Sequence, residues 1–580
     1  MSLIVQKFGG SSVATPERIL AVADRVLASL RQGHQVVVVV SAMGKTTDQL
    51  LALANACTEG HIQYANAREL DLLLATGEQV TIALVGIALQ AKGQPAIALN
   101  GSQVRILTEA HHQRARILQV ETELIRQHLK EGRVVIIAGF QGVSAADPTE
   151  VTTIGRGGSD TSAVAIAVAL SAELCEIYTD VSGIYTTDPR LVPNAQLIPT
   201  INCDEMLELA SMGAKVLHPR AVEIARNFGM KLAVRSSWTE EEGTLVSAPA
   251  HRQGSLNSIE INRFVEGITI DTDCVQIGLL QVPDRPGIAA QLFTALAHAG
   301  IDVNLIVQSV QEPVGMNDIA FTVSSSCANR AYQIVQSLGI GKVIMDRDIA
   351  LISIVGVGIM GRPAVIGQMF ESLASAHINL QMISTSEIKV SCTIQAEEKD
   401  LAIAVLKSQF HVQLWQEQLP ARNEELPAVR GVALDQNRAR IAVSQLNDRP
   451  GVAAQLLSAL THAGIAIDGI FQSHPQNAHN EIAFTVNSVD RWSAQQILTK
   501  AVTELGCGQV TSDEEVARVS IVGIGMVHQP GVAARMFRCL AEAGINIEMI
   551  ATSDIKVSCI VRQSEAVQAL QVVHREFLES

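Results

Sequence analysis

The second half of this chain is written twice. Asp284–Ile301 and Asp448–Ile465 agree at 14 of 18 positions, and both begin Asp-Arg-Pro-Gly. Farther on, Ile378-Asn379-Leu380-Gln381-Met382-Ile383-Ser384-Thr385-Ser386 returns as Ile545-Asn546-Ile547-Glu548-Met549-Ile550-Ala551-Thr552-Ser553, and Gly267–Asp271 matches Gly431–Asp435. The duplication starts near residues 265 and 429, and Gln413–Arg430, rich in Glu, Gln and Pro, joins the copies. Within each copy a strand leads to a Pro-Gly or Gly-x-Gly turn, then a helix, then two strands, and this unit occurs twice. Such a sequence is expected to fold as small repeated modules.

The first half follows a different rule. Leu3–Gln6, Val36–Ser41, Pro95–Asn100, Val134–Gly139, Leu174–Thr179 and Leu232–Ser236 read as strands, several of them continuous apolar runs. Helical patterns lie between them. Thr15-Pro16-Glu17 is a helix start, with an N-cap hydroxyl and proline at the first helical position. Gly158-Ser159-Asp160 opens the apolar helix Thr161–Leu170. Strand and helix in alternation predict an α/β sandwich on a largely parallel sheet. Beyond about residue 240 the periodicity fades, and 246–264 reads as a linker.

Composition narrows the partners. The net charge of −15 argues against nucleic acid and anionic membranes. Nine cysteines occur without a C-x-x-C spacing, as expected of reduced thiols in a cytoplasmic protein. Cys392 and Cys559 hold matching places in the repeat, which points to packing. Val36–Val40 is too short to span a bilayer, and no signal or transit peptide is expected before a motif that begins by residue 4. Gly356-Val357-Gly358-Ile359-Met360-Gly361 satisfies G-x-G-x-x-G after the strand Ala350–Val355. A dinucleotide site needs a carboxylate about 20 residues on, where this chain has Ile378-Asn379-Leu380-Gln381. The copy at Gly523–His528 lacks the third glycine, so both read as tight turns opening helices.

Chemistry-bearing residues gather in turns of the first half: Lys7–Ser12, Ser41–Asp48, Gly77-Glu78, Gly155–Asp160, Tyr178–Arg190 and Gly213–Arg220. The glycines of Lys7-Phe8-Gly9-Gly10-Ser11-Ser12 let backbone N–H groups approach an anion, and the lysine adds a compact charge suited to phosphate. No P-loop, protein-kinase signature, nucleophile elbow or zinc helix is present. His111-His112 and His474/His479 lack ligand spacing and read as surface residues. What remains is a mononucleotide-type site assembled from loops at strand ends.

The repeated units of the second half resemble ACT domains, small amino-acid-sensing modules. The six turns of the first half, in this order, resemble the aspartate kinase family of the amino-acid kinase superfamily. They include Val40-Ser41-Ala42-Met43-Gly44, Gly155-Arg156-Gly157-Gly158-Ser159-Asp160-Thr161, Asp188-Pro189-Arg190 and Gly213-Ala214-Lys215-Val216-Leu217-His218-Pro219-Arg220. The resemblance implies an amino-acid kinase-type αβα sandwich over 1–245, then four ferredoxin-like βαββαβ ACT domains at 265–340, 348–415, 430–508 and 516–580. It further implies ATP-dependent phosphorylation of the β-carboxylate of L-aspartate, with Mg²⁺, as the first step of lysine, threonine and methionine biosynthesis. Within that family, Lys7, Asp160 and Lys215 would be catalytic. Gly9, Gly10, Ser11, Thr179, Asp180, Tyr185 and Arg190 would bind ATP together with Lys7 and Lys215. Ser41, Thr47, Glu78, Arg156 and Ser159 would hold aspartate, with Glu78 on its α-ammonium and Arg156 on its α-carboxylate. Ser182 stands where many members carry an acid. Another amino-acid kinase, such as glutamate 5-kinase or carbamate kinase, and a catalytically inactive sensor are the competing readings. A fused homoserine dehydrogenase is not expected.

The ACT resemblance also implies effector sites for lysine, threonine or both where modules meet. One pair would use Asp284, Gly287, Ala289, Asn304 and Gln308, faced by Asn379, Gln381 and Ser386 of the neighbouring module. The second would use Asp448, Gly451, Ala453, Asp468 and Gln472, faced by Asn546, Glu548 and Ser553. Sheet edges that pair across chains would make a homodimer.

Overall fold

The computed structural model describes residues 2–213, 216–248, 256, 258–260, 264–311, 315–415, 427–447, 451–472, 479–506, 508–527 and 529–579. Lys215, Asp448, His474 and most of the expected linker 246–264 lie outside the described residues. Two compact units emerge. One comprises Met1–Tyr185, Leu197–Ala210 and Lys215–Asn262; the other comprises Thr186–Gln196, Ser211–Ala214 and Arg263–Ser580.

The first unit is built on an eight-stranded sheet. Its centre runs Leu232–Ser236, Leu174–Thr179, Leu3–Phe8, Gln35–Val40, Val134–Ala138 and Ala96–Leu99, all parallel neighbours. Val36–Val40 are buried, as a strand covered on both faces requires. On one face Pro16–Arg31 and Thr76–Ala91 contribute Ile19, Val22, Val26, Ile82, Val85 and Leu89 to a core shared with the sheet. Thr15 caps the first of these helices and Pro16 sits in its first turn. Gly158–Leu170 is buried along its whole length and packs against Leu3–Phe8. A small second sheet orders Ile117–Val120, Ile106–Thr108, Gln141–Ser144 and Val151–Thr153. Ala67–Ala91 is apolar and long enough to cross a membrane by length and composition. Here it is two helices, Ala67–Leu74 and Thr76–Ala91, and more than half of its apolar window is buried within the protein.

The second unit contains the βαββαβ pattern in full at Val275–Asp346: Val275–Pro283, helix Ile288–His298, Ile306–Gln311, Met316–Val323, helix Ala328–Leu338 and Lys342–Asp346. The modules do not stay within the expected boundaries. Gly267–Asp271, expected to open the first module, pairs antiparallel with Ile349–Val355 and completes the sheet of the second. Gly431–Asn447 is one long strand, with its first part on Val516–Val522 and its later part on His479–Asn487. Gln509–Val522 likewise serves both the third and the fourth module. A ten-stranded sheet results, and its middle joint is Val307↔Ala551 and Gln308↔Ile550.

The expected pairing of neighbouring modules is replaced by a nested one. Helix Ile288–His298 of the first packs on Val532–Glu542 of the fourth, and Pro363–Ser375 of the second packs on Val452–His462 of the third. Two separate cores follow, one joining modules one and four and the other joining two and three. The helices approach closely at Gly531, where a Cβ would lie 3.3 Å from Ala297 Cβ. The edges Ile306–Gln311 and Met549–Ser553 meet inside the chain, so they are not the free edges from which a homodimer was expected.

Gly356-Val357-Gly358-Ile359-Met360-Gly361 is a packed turn. Val357, Ile359 and Met360 are buried, and Arg362 Nη1 donates to the carbonyls of Val357 and Gly358 at 2.9 and 3.1 Å. A Cβ on Gly356 would fall 1.9 Å from Phe264 O. Gly356→Ala is therefore expected to cost about 1–3 kcal/mol through overpacking. The readout is a lower urea midpoint for the second unit, and an unchanged midpoint would show that this backbone approach is not needed.

Candidate active site and regulatory pockets

Three parallel strands end level with one another. Lys7 stands in register with Val39 on one side and Ile177 on the other. The loops after Phe8, Val40 and Thr179 therefore open at one edge of the sheet, where ligands bind in open α/β folds. Backbone bonds tie these loops together: Ser41 N to Phe8 O at 3.1 Å, Gly44 N to Gly10 O at 3.0 Å, and Gly9 N to Tyr178 O at 3.2 Å. A Cβ on Gly10 would sit 2.9 Å from Ala42 O, so only glycine allows this approach. Gly157 caps helix Gly158–Leu170 at φ +69°, and a side chain there would run into the ring of His218. Ser159 thus lies inside the first helical turn and is not its cap.

These loops enclose a cavity of about 980 Å³. Lys7, Gly10, Ser41, Thr47, Glu78, Arg156, Ser159 and Asp160 all line it. Lys7 Nζ lies 2.6 Å from Asp160 Oδ1, with both side chains only 11% exposed. Glu78 Oε1 accepts from Ala42 N at 2.9 Å, whereas Oε2 has no partner among the described residues. Burial pushes the Glu78 carboxyl up to about 7, against the opposing pull of the Ala42 N–H. Arg156 is exposed in the loop between Gly155 and Gly157. Burial, then the nearby Arg220, holds His218 below the usual imidazole range.

The other expected site residues are distributed differently. Gly9 and Ser11 flank Gly10 in its loop, and Ser11 O accepts from Arg18 Nη1 at 2.7 Å. Thr179 Oγ1 donates to Asp180 Oδ1 at 3.1 Å, at the end of strand Leu174–Thr179. Tyr185 bridges to Leu197. Arg190 does not line the cavity. Its guanidinium grips Asp188 at 3.0 and 2.6 Å, within a segment, Thr186–Gln196, that clusters with the second unit.

Sequence reasoning missed part of the wall. Gln113, Phe140 and Thr153 also line the cavity. His112, expected at the surface, is only partly exposed and is bonded to Asp71 at 2.8 Å. No local signal marked the pair, because Asp71 lies on helix Ala67–Leu74 and Glu78 on the separate helix Thr76–Ala91.

In the second unit, Asp284, Gly287, Ala289 and Gln308 line a cavity of only about 20 Å³, together with Asn546 and Ile547 of the fourth module. Asp284 Oδ1 accepts from Asn546 Nδ2 at 2.9 Å and from Asn317 Nδ2 at 3.0 Å, and Gln308 Nε2 donates to Ile547 O at 3.0 Å. The expectation that Asn379, Gln381 and Ser386 face Asp284 is thus corrected: the nested pairing gives that place to Asn546. Gln381 N bonds Thr393 O, and Ser386 N bonds Lys389 O, within the second module. Gly451 approaches Ala374 of the second module, not the fourth. Ala453 packs against the shared core of modules two and three, and Asp468 and Gln472 lie on strand Ile467–Gln472 of the third. Glu548 is held by Arg562 at 2.5 Å. Asn304 and Ser553 line a separate cavity of about 610 Å³ with Asp302, Thr552 and Lys389.

The family model described as Amino acid kinase family matches residues 2–236, and ACT domain models match 275–339, 352–410 and 519–577. An aspartokinase of Thermus thermophilus is 46% identical over 418 residues, 71% of this chain and 99% of the relative. An aspartokinase of Corynebacterium glutamicum is 43% identical over 418 residues, 71% of this chain and 97% of the relative. The crystal structure of aspartate kinase from Synechocystis matches with a TM-score of 0.87 at 49% identity, over 99% of this chain and 98% of that one. This chain belongs to the aspartokinase family.

Proposed function

We propose that the cavity of the first unit transfers the γ-phosphoryl group of ATP to the β-carboxylate of L-aspartate, giving 4-phospho-L-aspartate and ADP. The observation that carries this reading is the convergence of a Lys7–Asp160 pair, an unpartnered buried Glu78 oxygen and Arg156 on one cavity. A carboxylate oxygen forms the new bond to γ-phosphorus as the bond to the β,γ-bridging oxygen breaks. The nucleophile is already ionised, since a free aspartate side chain titrates at about 3.9. No general base is required. The obstacle is the meeting of two anions, and Lys7 supplies the positive charge that relieves it. Asp160 holds the ammonium in place. Glu78 takes the substrate α-ammonium, Arg156 clamps the α-carboxylate as a planar fork, and Ser41, Thr47 and Ser159 complete the aspartate pocket.

Gly9, Gly10 and Ser11 cradle the phosphates, with Thr179, Asp180, Tyr185 and Lys215 serving the nucleotide. Among the described residues no group of three or more His, Cys, Asp or Glu is arranged to hold a metal. Mg²⁺ would arrive on the ATP phosphates, as is usual for this ion. The division into a kinase domain over 1–245 and four ACT domains belongs to the same reading, with lysine, threonine or both acting as effectors there. So do a cytoplasmic location and a homodimer. An assay trapping the acyl phosphate as a hydroxamate, with ATP, Mg²⁺ and a panel of acidic amino acids, tests the substrate. Product is expected with aspartate and not with glutamate; the opposite preference overturns the assignment.

A further inference from the structure

Asp71 is a carboxylate with no exposure at all, on helix Ala67–Leu74. Oδ2 accepts from His112 Nδ1 at 2.8 Å, Gln113 N at 3.0 Å and Thr153 N at 2.9 Å. Oδ1 accepts from Thr153 Oγ1 at 2.5 Å. One side chain thus ties together a helix, the loop at Gln113 and the end of strand Val151–Thr153. All three belong to the cavity wall, through Leu70, Leu74, Gln113 and Thr153. Three residues beyond Thr153 stands Arg156. The intervening Ile154 is held from another direction, where its carbonyl accepts from Arg220 Nη1 at 2.6 Å.

We propose that Asp71 is a positioning residue for substrate aspartate: it fixes the Gln113–Thr153 wall and, through the chain, the loop that presents Arg156. This inference rests on the reading of the cavity as the aspartate site. A buried carboxylate satisfied by four donor groups is a stiff joint, because breaking any arm leaves a polar group unpaired. A guanidinium on a loop needs such a joint, since small misplacement of a binding group costs rate and affinity steeply. The nucleotide-side residues Gly9 to Ser11 share no hydrogen bond with this hub, so its loss is felt by one substrate and not by the other.

Steady-state kinetics of the full chain and of Asp71→Asn and His112→Gln test it. Asp71→Asn keeps the shape and removes the charge. It is expected to raise KM for aspartate at least tenfold while KM for ATP stays within twofold. His112→Gln removes one arm at a partly exposed position, with an expected rise of about threefold for aspartate alone. A folded Asp71→Asn with unchanged KM for aspartate, or with both constants raised equally, overturns the proposal. If Asp71→Asn does not fold, His112→Gln decides: an unchanged KM for aspartate refutes the brace. A parent chain that fails to phosphorylate aspartate refutes the reading of the cavity instead.

Discussion

Lys7→Ala is expected to lower kcat for aspartate phosphorylation by roughly 10²–10³-fold or more, the usual loss when one charge stabiliser of a transition state is removed. Two effects act in the same direction. The alanine takes away the ammonium at the end of strand Leu3–Phe8, beside Gly9 and Gly10. It also leaves Asp160, 2.6 Å away and 11% exposed, as an uncompensated anion at a site that must receive phosphate. The double variant Lys7→Ala/Asp160→Asn separates them. It is expected to regain stability relative to Lys7→Ala, because no buried charge is stranded, yet to remain inactive. ADP release and thermal midpoints measure both. A single variant within tenfold of the parent kcat would remove Lys7 from the chemistry.

Glu78→Gln is expected to strengthen the empty protein and to weaken its grip on aspartate. Glu78 titrates near 7 when folded, against 4.5 as the ordinary value, because burial disfavours its charge. A group raised in this way contributes stability in full below about 4.5, and that contribution is lost as pH rises through about 7. Above pH 7 the buried anion persists at a cost of about 3 kcal/mol. Glutamine carries no charge at any pH and still accepts from Ala42 N. The variant should therefore match the parent near pH 4.5 and exceed its stability most clearly at pH 8. Aspartate binding moves the other way. Losing one partner of a buried ion pair costs about 2–5 kcal/mol, a rise in KM of roughly 30-fold or more. In the parent, KM for aspartate should fall as pH rises through about 7 and then level off, since only the ionised carboxylate pairs with an ammonium. A flat pH profile, or a Glu78→Gln variant with unaltered KM, would remove Glu78 from the substrate site.

Much of this was legible in the sequence because it rests on local signals. Strands such as Gln35–Val40 are runs of valine, and Thr15-Pro16 marks a helix start by cap chemistry. The turns carrying Lys7, Ser41, Glu78, Arg156 and Asp160 are rich in glycine or charge, and eight expected residues line one cavity. What the sequence hid is long-range pairing. Nothing local in Gly267–Asp271 says that its partner is Ile349–Val355, and the likeness of Asp284 to Asp448 does not say which module each one faces. The Asp71 joint was hidden for a related reason. His112 reads as a surface residue until the fold brings it, with the backbone N–H groups of Gln113 and Thr153, to one buried carboxylate.

The two strands that each belong to a pair of modules, Gly431–Asn447 and Gln509–Val522, bear on how such a chain is inherited. A repeat whose elements are self-contained can be gained or lost one copy at a time. Here the third module cannot be cut out without stripping the fourth of its edge strand and of the first residues of its own opening strand. The nested pairing then exposes the helix faces of the first and second as well. The heritable unit is accordingly the interlocked set, and selection on any one module acts on all four together.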